Sequence, residues 1–380
     1  MRVLFSTTPL DGHFRPLLAL ARALRAAGHE LAFATEAGWH SHVVGEGFDA
    51  LPAGGPHSDA LAHLDRFRDE LRAVPPERRR PLLFTHLFAE FHATAKLPEL
   101  LDVARAWRPD AVVYESGDLA APAVAAALEL PVAHHSFGVM VPFAALERAA
   151  EHMAPLWRSI GAEPDRYAGA FRGLYIDVCP PSFAWEQPLG ETIQLRSEAA
   201  TIEGVPDWLD ALEQPFVYVT LGTVFNGPEV FRPLLDALDG SISALVTTGR
   251  NVDPLSLGRW SPNVRVERFV PQAQVLPRCA AVVAHAGSGS VLGALAHGLP
   301  LVLVPQGADQ FDNAARCAAA GAAVVIRPEE LTADAVRLAL RRVLDEPSFA
   351  EAARRVQAEI QAMPSAEEVA ARLEAHVAAG

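Results

Sequence analysis

The sequence predicts an α/β protein built from two Rossmann-like parallel-sheet domains. Short apolar runs that fit buried strands alternate along the chain with longer segments of helical periodicity. Between about residues 180 and 206 regular signals are few, and then the alternation starts again. We therefore predict one domain over residues 1–195 and a second over residues 196–380, facing each other across a central cleft. The last helix is a candidate to pack back on the first domain.

The first half contains two predicted βαβ units. In the first unit, Pro16 suits the opening turn of a helix and Gly28 ends it. Leu17, Leu20 and Leu24 fall on one face of that helix. The predicted strands cover residues 3–7, 30–35, 111–114 and 132–134, and the predicted helices cover residues 16–27 and 120–128.

Two inserts interrupt the first half. Residues 52–108 are rich in charge, proline and histidine, and residues 142–167 carry scattered apolar and aromatic side chains. We predict both to be irregular. Inserts of this size are where a scaffold usually places a variable pocket.

The second half repeats the alternation of strand and helix. Its tail, over about residues 350–377, is helical and contains Pro364 as a break. The predicted strands cover residues 216–221, 243–247, 264–269, 280–284, 301–304 and 322–326, and a helix lies near residues 230–239.

Composition favours a globular cytoplasmic enzyme. Half of the 380 residues are hydrophobic, which is enough for a large core. The net charge of −14, without a basic stripe, argues against nucleic acid, and no apolar run reaches membrane-spanning length. The chain begins with a strand and not a cationic leader, and its three separated cysteines fit reduced thiols. Among lysine and arginine side chains all but Lys96 are arginine, which we interpret as a mark of GC-rich coding and not of function.

The most informative segment is His285 to Gly298, HAGSGSVLGALAHG. It follows a predicted buried strand and opens a predicted helix, so the amides of its glycine-rich turn point outward at the positive end of the helix dipole. Such a turn binds phosphate. Since His285 precedes the glycines and serines stand at the helix start, the turn can hold a diphosphate without a lysine or a metal. The alternative is a tight corner of the kind any α/β protein makes.

Other polar residues follow neighbouring strands of the second half. Ligands of an open parallel sheet bind beyond the carboxyl ends of its strands. Gly222 and Thr223 follow one strand, and Asp309 and Gln310 follow another in the run 305–313. A carboxylate and an amide there could bind vicinal sugar hydroxyls, whereas Asp309 could instead cap the next helix.

An aromatic residue offers a further contact in the second half. Phe269 and Val270, followed by the amide of Gln272, suit a stacked nucleobase and its ribose. The alternative for Phe269 is a place in the core, where strand-end aromatics are more common.

The first half supplies candidate proton-transfer residues. His13 follows the first strand, and Glu115 and Asp118 follow the strand over residues 111–114. An imidazole there can accept a proton from a hydroxyl near neutral pH, and a carboxylate would orient the ring, with Glu115 the first candidate and Asp118 the second. The alternatives are a solvated or capping histidine and a surface glutamate.

Several common sites are missing from the sequence. There is no Gly-x-Ser-x-Gly elbow, Walker lysine or Cys-x-x-Cys pair, and Asp11-Gly-His lacks the three-glycine dinucleotide fingerprint. His134 and His135 are neighbours on one strand and point to opposite faces, so they are poor joint metal ligands.

Taken together, these residues resemble the GT-B glycosyltransferases of family 1, in particular bacterial enzymes that decorate natural products, such as the calicheamicin-type sugar transferases. The resemblance covers nearly the whole chain. It is carried by residues 3–16, 175–181, 221–223, 270–272, 285–290 and 305–313.

The resemblance implies a role for each matching position. On the donor side, His285 and Thr223 would contact phosphate, and Gln272 would lie by the nucleoside. Asp309 and Gln310 would face the donor sugar. His13 would be the general base and Glu115 its partner. The backbone that would hold the diphosphate comprises Gly287, Ser288, Gly289 and Ser290.

The chain departs from the family pattern at three positions. Phe269 stands where many relatives have tryptophan, and Ala286 stands where they have glycine. Glu115 replaces the aspartate of plant relatives and is longer by one methylene.

From the resemblance we expect an inverting, metal-independent transferase that moves a sugar from a TDP- or UDP-sugar to a hydroxyl of a small hydrophobic acceptor. No cofactor, nucleic acid or membrane partner is expected, and monomer and homodimer both remain open. Three alternatives also remain open: a catalytically silent sugar-nucleotide-binding partner, a sugar-nucleotide 2-epimerase and a lipid-linked sugar transferase.

Overall fold

The structure, a computed structural model, describes residues 1–184, 187–197, 206–210, 212–222, 227–238, 240, 242–249 and 252–379. The chain divides into two compact units. The N-terminal unit comprises Met1–Cys179, Ala184–Arg196 and Met363–Gly380. The C-terminal unit comprises Pro180–Phe183 and Ser197–Ala362.

A parallel sheet forms the centre of the N-terminal unit. Within the described residues it has seven strands in the order β3-β2-β1-β4-β5-β6-β7. The strands are β1 Arg2–Ser6, β2 Glu30–Thr35, β3 Asp49–Pro52, β4 Ala111–Glu115, β5 Val132–His135, β6 Leu174–Asp177 and β7 Thr192–Gln194. β7 lies within residues 180–206, the segment in which the sequence shows few regular signals and no strand is predicted. The strand order reverses between β1 and β4, which is where an open α/β sheet leaves a crevice.

Helices cover both inserts of the N-terminal unit, so the prediction of irregular structure there is wrong. The predicted first helix is divided into α1, a 3-10 turn over Arg15–Leu17 and α2. The helices of this unit are α1 Asp11–Phe14, α2 Leu18–Ala26, α3 His40–Gly45, α4 His57–Leu64, α5 Arg68–Ala73, α6 Arg80–Phe84, a π-helix over Thr85–Ala93, α7 Thr94–Trp107, α8 Ala120–Ala127 and α9 Phe143–Ser159.

The C-terminal unit repeats the design with a second parallel sheet. Among the described residues it has six strands in the order β10-β9-β8-β11-β12-β13. All six predicted strands are confirmed, although several end earlier than expected. They are β8 Phe216–Thr220, β9 Ser243–Thr247, β10 Val264–Glu267, β11 Cys279–Ala284, β12 Leu301–Leu303 and β13 Ala323–Val325.

Helices flank this second sheet, and an apolar cluster that includes Phe231, Leu340 and Val302 packs between the layers. The helices are α10 Asp207–Asp210, α11 Pro228–Ala237, α12 Gln272–Val275, α13 Ser288–Ala296, α14 Gln310–Ala319, α15 Ala333–Asp345 and α16 Pro347–Ala362. No helix in the described part of the chain is both long and apolar enough to cross a lipid bilayer.

The last helix, α17 (Ala366–Ala379), belongs to the N-terminal unit. It follows the predicted break at Pro364 and packs on α2. Glu374 of α17 lies 2.7 Å from the Nε2 atom of His29, and Glu191, which precedes β7, pairs with Arg372 and His376. The polar contacts therefore hold the chain's end against two parts of the first sheet.

Candidate active site

His13 and Glu115 form a direct pair at the carboxyl edge of the first sheet. β1 leads to α1, which carries His13, and β4 ends at Glu115. The Nδ1 atom of His13 lies 2.7 Å from Oε2 of Glu115. His13 is 8% exposed and Glu115 is fully buried, so a solvated histidine and a surface glutamate are both excluded.

Three further donors hold the Glu115 carboxylate. The backbone N–H and the hydroxyl of Thr8 both donate to Oε1 at 3.0 Å, and the N–H of Gly117 donates to Oε2 at 2.6 Å. Burial opposes the charge, but His13 and the backbone donors of Thr8 and Gly117 outweigh it and lower the pKa of Glu115 to about 2. The carboxylate is therefore ionised throughout the physiological range.

The Glu115 carboxylate also determines the tautomer of the His13 imidazole. An ionised carboxylate only accepts hydrogen bonds, so Nδ1 of His13 carries a proton and donates it to Glu115. In the neutral ring the lone pair is then on Nε2. This is the tautomer that a general base needs.

Aromatic side chains surround the His13 ring. Its centroid lies 4.3 Å from that of Phe137 and 5.3 Å from that of Phe88, which the π-helix carries. A Cβ atom at Gly117 would lie 2.8 Å from Phe88 and 2.9 Å from Cε1 of His13. Position 117 therefore has no room for a side chain.

Asp118, the second candidate partner, does not pair with His13. Its Oδ2 accepts from Lys96 at 2.6 Å and from the hydroxyl of Ser6 at 2.7 Å, and the residue is buried. Asp118 pairs with Lys96 and not with His13 because the buried ammonium group of Lys96 requires a counter-ion. The prediction that Asp118 orients the base is corrected accordingly.

The C-terminal unit places His285 between two glycines. A Cβ atom at Gly222 would lie 2.6 Å from the ring, and one at Gly287 would lie 2.4 Å from Nε2. Burial lowers the pKa of His285 to about 4, although Asp309 and the backbone of Thr220 partly oppose this. Without a ligand, the imidazole is therefore neutral.

The turn after His285 leads into α13 as predicted. Gly287 is the N-cap residue, and α13 begins at Ser288. The amides of Ser288, Gly289 and Ser290 belong to the first helical turn, where a helix offers no acceptor. Among the described residues, Nδ1 of His285 also lacks a hydrogen-bond partner. The backbone amides of this turn are thus available to donate hydrogen bonds to an anion.

Asp309 braces this turn from the neighbouring loop. Its Oδ2 accepts from the hydroxyl of Ser288 at 2.8 Å and from Nδ2 of Asn313 at 3.0 Å. Asn313 also donates to the carbonyl oxygen of Ala286 at 2.9 Å. The Asp309 side chain does not cap α14, so that alternative is excluded.

Gln310 is buried and shapes its own loop. Its Oε1 accepts from the N–H of Gln306 at 2.7 Å and from that of Gly307 at 3.2 Å. The amide oxygen that was expected to meet sugar hydroxyls is therefore used within the loop, because the turn leaves these two N–H groups without partners in the strand.

Phe269 is exposed and Gln272 is anchored. Phe269 is 65% exposed, so its placement in the core is excluded, whereas the adjacent Val270 is buried. Gln272 begins α12, and its Nε2 donates to the hydroxyl of Ser290 at 3.2 Å. This contact links the α12 loop to the start of α13. Thr223 lies outside the described residues, and among those described no group of three or more His, Cys, Asp or Glu side chains could hold a metal ion.

Comparison with known proteins places the chain in a family. The family described as "Erythromycin biosynthesis protein CIII-like, N-terminal domain" matches residues 22–222, and its C-terminal counterpart matches residues 235–376. The chain belongs to this family. The two matches together extend over both units.

Characterised relatives match over nearly the whole length. The L-demethylnoviosyl transferase of Streptomyces niveus is 34% identical over 395 residues, covering 96% of this chain and 99% of that protein. The 10-deoxymethynolide desosaminyltransferase of Streptomyces venezuelae is 31% identical, with coverages of 94% and 93%.

Solved structures share the fold. The glycosyltransferase VinC in complex with dTDP superposes with a TM-score of 0.82 at 27% identity, covering 100% of both chains. The spinosyn rhamnosyltransferase SpnG with spinosyn aglycone gives 0.79 at 27% identity, covering 98% and 100%. The protein is therefore a GT-B glycosyltransferase of the natural-product type, as the sequence motifs predicted.

Sequence reasoning missed several residues that build these sites. Thr8 and Gly117 satisfy Glu115, Asn313 braces the donor turn, and Lys96 neutralises Asp118. Only Lys96 had a signal in the sequence, as the one lysine among 32 lysine and arginine residues, and the sequence-based interpretation attributed that signal to coding and not to function.

The backbone at Ala286 leads to a stability prediction. Its φ of +65° lies in the left-handed region, and the residue is fully buried. Ala286→Gly removes roughly 1–2 kcal/mol of strain and loses about 0.8 kcal/mol of methyl burial, so we expect the free energy of unfolding to rise by about 0.5 kcal/mol. Urea denaturation measures it. The control, Ala358→Gly on the exposed face of α16, should lose about 1 kcal/mol, and equal losses in the two variants would contradict the left-handed backbone.

The lowered pKa of Glu115, which results from His13 and the backbone donors of Thr8 and Gly117, predicts a pH dependence of stability. Because its pKa falls from 4.5 to about 2 on folding, its stabilisation is complete above pH 4.5 and is lost as the pH falls toward 2. The full effect is roughly 3 kcal/mol. We expect the difference in unfolding free energy between the parent and Glu115→Gln to shrink from pH 6 to pH 3 in urea titrations. For Glu77→Gln, at an exposed position, the difference should stay flat. A constant difference for Glu115→Gln would refute the assignment.

Proposed function

We propose that this transferase moves a sugar or deoxysugar from a TDP- or UDP-linked donor to a hydroxyl of a small hydrophobic natural product, with inversion at the anomeric carbon. The observation that carries the proposal is the buried His13–Glu115 pair, whose Nδ1–Oε2 distance is 2.7 Å. The dTDP complex of VinC supports thymidine diphosphate as the carrier, and the aglycone complex of SpnG supports a small-molecule acceptor.

The N-terminal unit performs the proton transfer. The Nε2 lone pair of His13 accepts the proton of the acceptor hydroxyl while the oxygen attacks the anomeric carbon and the diphosphate leaves from the opposite face. Glu115 stabilises the imidazolium that forms, as the carboxylate of a catalytic triad does. The Phe88 and Phe137 rings beside His13 provide an apolar surface for a hydrophobic acceptor.

The C-terminal unit holds the leaving group. The first-turn amides of α13 and the imidazole of His285 are donors aimed at the anion, and such fixed donors stabilise charge as it develops. Binding of the diphosphate offsets the burial that keeps His285 neutral, so the ring can then carry a proton. This donor set supplies the stabilisation that a divalent ion provides in other transferases, and we propose that the reaction is metal-independent.

Removal of the base gives the first test. We expect His13→Ala to lower turnover of a TDP-sugar by roughly 100- to 10,000-fold with TDP affinity unchanged, because the donor contacts lie in the other unit. Single-turnover assays followed by mass spectrometry measure the first quantity and calorimetry the second. His376→Ala, whose ring pairs with Glu191, should keep parental turnover. Near-normal turnover by folded His13→Ala would remove His13 from this role.

Phe269 gives the second test. If its exposed ring stacks on the nucleobase, Phe269→Ala should weaken TDP binding about 5- to 30-fold, since stacking on an aromatic side chain contributes roughly 1–2 kcal/mol. Phe269→Trp should restore or tighten binding. The control is Leu338→Ala on α15, at a similar exposure of 63%. Equal affinities for the parent and Phe269→Ala in calorimetry would exclude stacking.

A further inference from the structure

Lys96, on α7, is almost fully buried and is the only lysine in the chain. Its ammonium group donates to the carbonyl oxygens of Thr7 at 2.8 Å and Ala34 at 3.0 Å, and to Oδ2 of Asp118 at 2.6 Å. These bonds use all three N–H groups of the ammonium. Lys96 therefore joins the ends of β1 and β2 to the loop after β4, at the edge of the sheet that carries His13.

One of these bonds leads directly to Glu115. The peptide group between Thr7 and Thr8 accepts from Lys96 through its carbonyl, and its N–H donates to Oε1 of Glu115 at 3.0 Å. Because the peptide group is planar, fixing the direction of the carbonyl also fixes that of the N–H. A cation at the carbonyl also polarises the group and strengthens its N–H as a donor.

We propose that Lys96 is a positioning residue for the reaction, acting through the Thr7–Thr8 peptide on Glu115 and hence on the His13 ring. Lys96 touches no substrate. The inference rests on the proposed function, in which His13 is the base. It goes beyond the His13–Glu115 pair because it assigns the orientation of that pair to a third, buried charge.

A purely structural role for Lys96 makes a different prediction. Removing one member of a buried ion pair strands the other charge and destabilises the fold, whereas replacing both members with neutral groups is often tolerated. The double variant Lys96→Met/Asp118→Asn therefore separates the two roles. The double variant removes the unpaired charge that Lys96→Met alone leaves on Asp118, but it does not restore the hydrogen bond to the Thr7 carbonyl.

The kinetic experiment compares Lys96→Met with this double variant. We expect Lys96→Met to melt well below the parent and the double variant to regain most of that loss. The kcat of the double variant should stay at least 10-fold below the parent, with KM for donor and acceptor within about 3-fold, because the loss is in the orientation of the base and not in binding. Parental kcat in the double variant would overturn the inference.

A double-mutant cycle locates the effect. In the His13→Ala background, the Lys96→Met/Asp118→Asn change should alter the residual kcat by less than 2-fold, since the base it positions is already absent. An equal 10-fold loss in both backgrounds would show that Lys96 acts elsewhere and would also overturn the inference.

The sole lysine permits a test without turnover. In protein labelled with ¹⁵N-lysine, Lys96 gives the only ammonium signal from a side chain. We expect Glu115→Gln to shift this signal, although the ammonium group of Lys96 donates to Thr7, Ala34 and Asp118 and not to Glu115, and exposed Glu77→Gln to leave it unchanged. An unchanged signal in folded Glu115→Gln would refute coupling through the Thr7–Thr8 peptide. Normal turnover by His13→Ala with the shift present would instead refute the base and leave the coupling intact.

Discussion

A buried negative charge organises the edge of the N-terminal sheet. Glu115 has no contact with solvent, so every hydrogen bond that water would have given must come from the protein. The donors are the backbone and hydroxyl of Thr8, the backbone of Gly117, and His13. Thr8 and His13 lie on the segment after β1 and Gly117 on the segment after β4, and the first two reach Glu115 only when β1 and β4 lie side by side. The charge is therefore compatible with one arrangement of these loops, and that arrangement sets the plane of the His13 ring.

The turn after β11 in the C-terminal unit differs from this site, because it offers neutral groups in place of a buried charged pair. The segment His285 to Ser290 contains no lysine or arginine, and the amides at the start of α13 have no acceptor within the helix. Such weak donors act together only if they are rigid. Two glycines make room for the ring, and Asp309 and Asn313 hold the turn from the next loop.

Local pattern predicted β1, β2, β4 and β5 of the first sheet, all six strands of the second and the polar residues at their ends, because these features depend on short-range periodicity and on the direction of the sheet. It did not predict the short strands β3, β6 and β7. It failed for residues 52–108, where the helices are short, mixed in polarity and interrupted by a π-helix. It ranked Glu115 ahead of Asp118 as the partner of His13, but it gave no structural reason for that choice. That choice depends on where a side chain 22 residues before Asp118 places its ammonium group, which is a tertiary contact without a local signature.

The geometry of the oxygens around position 96 explains why this residue is lysine. Arginine provides every other basic side chain in this chain, yet position 96 has lysine. A guanidinium group is planar and spreads five N–H donors over a fork, whereas an ammonium group directs three donors from one small centre. The oxygens of Thr7, Ala34 and Asp118 converge within 3.0 Å of a single nitrogen in a buried site. This convergence on one nitrogen matches the geometry of an ammonium group. The one lysine therefore stands at a position whose geometry suits it better than arginine, the residue that the rest of the chain prefers.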